Sequence, residues 1–515
     1  MERIPLVGGL VGKVFETVPG FKLPEWTEVG REAGLDPLGM ARPSEEIYQS
    51  LLPGISTITV RLRYYSFLPW LLHTYISGGR SADPEEFFRF QRNAEAVFAL
   101  IGVFESYDGG LAGANWALRT LSEQRGETID FAVSAQQDTN GLLKNKSGAL
   151  GGIYGPQLAE MGLITTSADH GIKVPTERGT NLAKAFEQTL GSLAPEFKTA
   201  IVDGRITRTN LQRLSFLKPS GIDVSSKEGQ FLASIFLGET EDPLSEDLKR
   251  RDSLRRILEV VRIYKCKPKD YQVRWHWFKA LRKEREVDPW LAYHVNDLLI
   301  FAYEALLKRS LEVMREQSDG SIPLQNLVEE VVSKLCEGDA KEPFLVSKNL
   351  TGDEEKLVEY ISMYGQSMEV LPHEGVVLAR KLIQIVLGWA KSNATSVREL
   401  FPLSSSFHSL SSELGFVESL ADQTVEHGLR KILVERVLKR HLWVAAKKFR
   451  GQKKYTFLFE IEDGGRLYRL RYRNPAQVKL GYPRITQAIQ FLEDAKLIDD
   501  ENGLTHLGEK VLNST

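Results

Sequence analysis

Arg469, Arg471 and Arg473 stand at alternate positions of the stretch RLYRLRYR, with Leu470 and Tyr472 between them. On an extended strand such residues share one face about 7 Å apart, a spacing that matches phosphates along a nucleic-acid strand. The same pattern also suits an exposed sheet face. Charge around it extends the phosphate reading. From Gly428 to Arg484 the sequence holds sixteen Lys and Arg against four Asp and Glu, a local excess of twelve. The whole chain of 515 residues carries −2, so the remainder stands at −14. A second excess lies between Ser245 and Arg285, with fourteen basic residues against six acidic. Clustered cations release counterions from a phosphate backbone when they bind it. The candidate DNA contacts are Lys447, Lys448, Arg450, Lys453, Lys454, Arg469, Arg471, Arg473, Arg484 and Gln487. Two other readings stand beside this one: a solvated basic helix balanced by acidic surface elsewhere, and a surface that docks an acidic face of a partner protein.

Patterns that would make or break bonds are missing. GGLVGKV puts Val7 and Val14 where a phosphate-binding loop needs Gly and Ser or Thr. The nine histidines form no i, i+2 or i, i+4 pair and no HExxH, so neither a His-based metal site nor a cofactor site is expected. There is no GxSxG. Glu460 and Glu462 on one strand are the spacing of a nuclease carboxylate pair, but the lysine expected near them is missing. RWHWF, Arg274 to Phe278, offers either base stacking or a helix packed by Trp275 and Phe278. The expectation is a binding protein, with an unrecognised nuclease as the enzymatic alternative.

The elements that would position these residues are mainly helical, which predicts a mainly α, multidomain protein. YTFLFEIEDGGRLYRLRYR reads as a β-hairpin turning at Asp463-Gly464-Gly465, preceded by an amphipathic helix over RKILVERVLKRHLWVAAKKFR. Two stretches echo each other. In one, Leu158 and Leu163-Ile164 precede Thr176-x-x-Gly179; in the other, Leu492 and Leu497-Ile498 precede Thr505-x-x-Gly508. Each predicts a helix, a strand, a polar turn, a second strand and a helix capped by the Thr. That order resembles the winged-helix fold, with YPRITQAIQFLEDAKLI as the candidate recognition helix of the second copy. Ile58, Leu62, Tyr65, Leu68, Leu72 and Tyr75 form a helical stripe, capped by Thr57 and kinked at Pro69. Arg61 and Arg63 flank it and are candidate partner contacts.

The expected organisation is an irregular arm over 1–55, a helical domain over 56–125 and a winged-helix-like domain over 126–195. A helical middle over 196–400 and a Ser-rich linker over 401–427 then lead to a basic hairpin and winged-helix-like module over 428–515. Cys266 and Cys336 are the only cysteines, which excludes a disulfide framework and fits a cytoplasmic setting. No apolar run is long enough for a membrane span, and the start lacks the pattern of a signal peptide.

One stretch carries a likeness. GLDPLGMARPSEEIYQSLLPGISTITVRLRYYSFLPWLL resembles the N-terminal part of bacterial proteins of anti-phage and anti-plasmid defence loci, through Gly34 to Gly39 and Arg63 to Phe67. The resemblance implies a non-catalytic subunit working beside an ATPase or nuclease encoded alongside. The partners expected are therefore DNA and such a protein, with homo-oligomerisation open. The alternative is a kleisin-like interaction scaffold for an SMC-type ATPase.

Overall fold

The structure is a computed structural model that describes residues 36–513, apart from 82, 108, 137–140, 144–146, 168–171, 282–285, 337, 346–351, 366–372, 404–406, 471–477 and 502. The described chain is mainly helical, with short strands only. No described helix is long and apolar enough to cross a membrane. The chain divides into two units. Unit A is Gln49–Val273 with Pro483–Thr515, and unit B is Met1–Tyr48 with Arg274–Tyr482. This differs from the linear order of domains that the sequence suggests, because the 428–515 module is divided at Tyr482.

The elements that matter below are, in chain order, helices α1 (Tyr64–Ser77), α2 (Pro84–Val103) and α3 (Gly155–Glu160), then strands β1 (Ile164–Thr166) and β2 (Lys173–Pro175). Helices α4 (Glu177–Leu190), α5 (Lys227–Phe236), α6 (Ser245–Tyr264) and α7 (Pro289–Glu316) follow, and then strand β3 (Ser321–Pro323). Helices α8 (His373–Ser392), α9 (Leu410–Glu418) and α10 (Lys439–Gln452) lead to strands β4 (Phe459–Glu462) and β5 (Arg466–Arg469). The chain closes with α11 (Ile485–Asp494), β6 (Ile498–Asp499), β7 (Gly503–Leu504) and α12 (His506–Asn513).

Unit B is built around α7. Asp288 accepts a hydrogen bond from the Trp290 N–H and Pro289 takes the first helical position. Apolar residues run around most of its circumference, so the helix is buried on nearly every side. It packs against α8 and against the π-helical stretch Ile432–Leu438 that leads into α10. The expected Ser-rich linker contains α9, whose Leu410, Leu414 and Val417 are buried. The Ser412 hydroxyl accepts the Ser409 N–H at 3.1 Å and donates to the Ser409 carbonyl at 2.7 Å, so a serine that suggests a linker ties down the start of this helix. β4 and β5 pair antiparallel around the Asp463–Gly465 turn, where Gly464 and Gly465 take positive φ. β3, from far earlier in the chain, pairs with the other edge of β5 and makes it the middle strand.

Unit A holds both echoing stretches. Each has the order helix, strand, strand, helix, with β1 paired to β2 and β6 paired to β7. Their atomic details coincide. The Leu163 N–H bonds the Leu158 carbonyl at 2.9 Å, and the Leu497 N–H bonds the Leu492 carbonyl at 2.9 Å. Thr176 donates its hydroxyl to the Gly162 carbonyl and Thr505 to the Lys496 carbonyl, both at 2.6 Å. Each Thr then caps the next helix by accepting the N–H of Gly179 or Gly508. The glycines have a steric cause: an added Cβ would lie 1.9 Å from the Leu163 oxygen and 2.2 Å from the Leu497 oxygen.

Between α3 and α11 lies a strap, residues 54–62, in place of the expected first turns of α1. The Thr59 hydroxyl accepts the Ser56 N–H and donates to the Ser56 carbonyl, which diverts the chain from helix. Three other strap N–H groups meet side chains: Gly54 donates to Glu160 at 2.7 Å, Leu62 to Asp494 at 2.9 Å and Arg61 to the Tyr154 hydroxyl at 3.4 Å. With those donors satisfied, α1 begins only at Tyr64, with Pro69 inside it.

Candidate nucleic-acid interface

Many of the described cations of the basic stretch 428–484 are neutralised or buried where they stand. Glu413 lies at the centre of one network in unit B. Arg440 and Arg436 pair with it, Arg436 at 3.1 Å, and Tyr303 donates its hydroxyl to it at 3.1 Å. Burial pushes the Glu413 carboxyl up, but the two guanidiniums outweigh that and hold it at about 2. Arg430 pairs with Glu426 at 2.9 Å and with Glu329, and Arg466 pairs with Asp319 at 3.4 Å.

Several of the expected contacts point inward. Lys447 is buried with its Nζ 4.9 Å from the centre of the Trp443 ring and 5.5 Å from that of Phe407. Lys448 is buried and donates to the Asp36 carbonyl at 2.6 Å. Arg469 is 8% exposed and donates to the Leu311 carbonyl of α7 at 3.3 Å. On β5 Leu467 and Arg469 therefore look inward, against the expectation of an exposed arginine face, while Leu470 is buried as well and β4 keeps Phe459 buried with Glu460 and Glu462 exposed. The cause is the packing of β5 against α7. Arg471 and Arg473 lie outside the described residues.

In unit A, Arg484 donates to the Ile55 carbonyl and Gln487 to the Thr57 carbonyl at 3.2 Å. The candidate recognition helix α11 thus grips the strap of its own unit. Arg61 pairs with Asp494 at 2.9 Å. Arg63 makes a two-pronged pair with Glu228, at 3.1 and 2.9 Å, and also donates to the Phe216 and Lys218 carbonyls. Both arginines are buried, so the expectation of partner contacts gives way to internal pairing. Trp275 and Phe278 are buried and stacked on each other, which favours packing over base stacking.

Among the described residues of this stretch, the exposed cations gather at the C-terminal end of α10. Arg450, Lys453 and Lys454 are exposed, and Lys453 ends the helix in the left-handed conformation. Beside them Phe449 is 43% exposed and meets Tyr455 edge-on at 5.8 Å, with Tyr455 in turn 5.1 Å from Phe457. The aromatic members were legible only as interleaving within the basic run, since periodicity assigns Phe449 to the apolar side of the helix. This cluster belongs to unit B, whereas Arg484 and Gln487 belong to unit A.

Among the described residues no group of three or more His, Cys, Asp or Glu could hold a metal ion. His294 and Ser362 lie 3.2 Å apart, but both are buried and Ser362 donates to the Val358 carbonyl, so the pair has the geometry of a core contact. No family model matches the chain, and comparisons with curated proteins and with solved structures return no match.

Proposed function

We propose that the chain is a non-catalytic, DNA-binding subunit of a multicomponent bacterial defence system, meeting the phosphate backbone through the end of α10. One observation carries this reading: exposed Arg450, Lys453 and Lys454 stand beside the solvent-facing ring of Phe449 and its neighbour Tyr455. Cations attract the backbone, and an exposed ring gives a base something to stack on. The defence setting, and a partner ATPase or nuclease with it, rests on the likeness of residues 34–72 alone.

A second reading is favoured by α3 and α11. We read the two helix–strand–strand–helix units as winged-helix-like modules, and their leading helices are engaged by protein, through the strap, rather than offered to a groove. That supports a protein-interaction scaffold of the kleisin kind for an SMC-type ATPase.

Fluorescence anisotropy of the full chain with labelled duplex and single-stranded oligonucleotides tests the first reading. Replacing Phe449 and Tyr455 by Ala is expected to weaken single-strand binding, since each stacked base contributes roughly 1–3 kcal/mol. A wild-type chain that retains no oligonucleotide, or a variant that binds as the wild type does, overturns it.

A further inference from the structure

The second helix–strand–strand–helix copy leaves open a face that the first copy closes. Positions Met161, Leu163 and Leu182 of the first copy correspond to Ala495, Leu497 and Val511 of the second, by the alignment of the Leu-Ile pairs and the Thr-x-x-Gly turns. The first three are all fully buried, and Ala495 and Leu497 are buried as well, so the two copies part at Leu182 and Val511. There α4 packs on both α1 and α5, and Arg178 at its start is tied to Asp247 of α6 at 2.8 Å. In the second copy α12 packs on α6, and its outer face borders a groove of about 650 Å³ shared with α5 and α6. Val511 is only half-buried there and Leu507 is 37% exposed.

The groove has a chemistry of its own. Ala233, Leu507 and Val511 supply aliphatic surface over the buried Leu237 and Leu497, and no aromatic ring is among its lining residues. A nucleobase would therefore find no stacking face. Three cations, Arg251, Arg255 and Lys510, and two acids, Glu239 and Asp252, make up its charged lining, a surplus of one positive charge. Arg251 stands 3.6 Å from Asp252, so this pair offsets itself in part. Lys510 is exposed, and Arg255 holds the Leu512 carbonyl at 3.1 Å.

We infer that this groove is the docking site for an amphipathic helix of a partner protein, one that presents an aliphatic face bordered by Asp or Glu. Ridges of aliphatic side chains between helices are the usual seat of such a helix, and the cationic surplus selects its flanking charge. The inference is independent of DNA binding by α10, which lies in the other unit.

The probes are two helix-stapled peptides with the same leucine face, one flanked by glutamates and one by lysines. They are titrated against the full chain by fluorescence anisotropy. The glutamate peptide is expected to bind at least tenfold more tightly than the lysine peptide. K510E and R255E together should remove that preference. A233W, which fills the groove without changing its charge, should weaken the glutamate peptide at least tenfold while the thermal transition of the chain stays in place. Equal binding of the two peptides, no binding of either, or indifference to A233W overturns the inference. Concentration-dependent self-association abolished by A233W overturns it too, since the occupant would then be a second copy of this chain.

Discussion

Glu160 and Asp494 occupy equivalent positions at the ends of α3 and α11, and they hold opposite ends of one strap, Glu160 at the Gly54 N–H and Asp494 at the Leu62 N–H. Asp494 also neutralises Arg61, whose side chain is 7% exposed. Removing one partner of a buried ion pair is costly. D494A should therefore cost about 3 kcal/mol of stability, and E160A, at a more exposed site, about 1 kcal/mol. Urea denaturation measures both; equal and negligible losses would show that the two carboxylates do not clamp the strap.

Equivalence of the two copies makes a paired prediction. G179A and G508A each drive a Cβ into a backbone oxygen, of Leu163 and Leu497 respectively. Overpacking against backbone costs roughly 1–3 kcal/mol. Both variants should lower the melting temperature, while G464A, with open space around its Cβ, should act only through the positive φ of its turn. If G508A melts with the wild type, the second copy does not close as the first does.

Acid should loosen unit B. The His441 Nε2 accepts the Leu458 N–H at 3.0 Å, so the proton sits on Nδ1, which donates to the Pro37 carbonyl at 3.1 Å. Burial pushes the His441 pKa down to about 4 and that of His408 to about 3. An unfolded histidine takes its proton near 6.5, so stability falls as pH drops from there toward the folded values. Glu413 adds to the loss between the ordinary glutamate value of 4.5 and about 2. Asp494 works the other way. Burial raises it to about 6, so its contribution is present at low pH and lost as pH rises through 6. H441Q keeps a donor and an acceptor without a proton to gain. It should reduce the slope of stability against pH, between about 6.5 and 4, by as much as 1.4 kcal/mol per unit. An unchanged slope would mean that His441 is already charged in the folded chain.

Local chemistry in this sequence is readable and distant pairing is not. Thr176 and Thr505 cap where their spacing predicts, and the Asp463–Gly465 turn joins the short strands β4 and β5. Each is decided within a few residues. The fate of the cations is decided elsewhere in the chain: Arg63 meets Glu228, Lys448 meets the Asp36 carbonyl, and Arg436 and Arg440 meet Glu413. A run of positive charge therefore overstates the positive surface. Arg469 fails for a related reason, since β3 and α7 fix which face of β5 looks inward, and neither adjoins it in sequence. For the strap, the apolar stripe from Ile58 to Tyr75 predicts helix, but side chains from both copies claim its first amide groups.

Whether a polyanion meets the end of α10 is tested most directly by the salt dependence of duplex DNA affinity, for the full chain and for its R450E/K453E/K454E variant. These three side chains are exposed, so the variant is expected to fold. Its binding should be weaker, and its plot of log affinity against log salt shallower by about 2–3, at roughly 0.9 for each phosphate that is no longer neutralised. Wild-type affinity and slope in the variant would contradict the proposal.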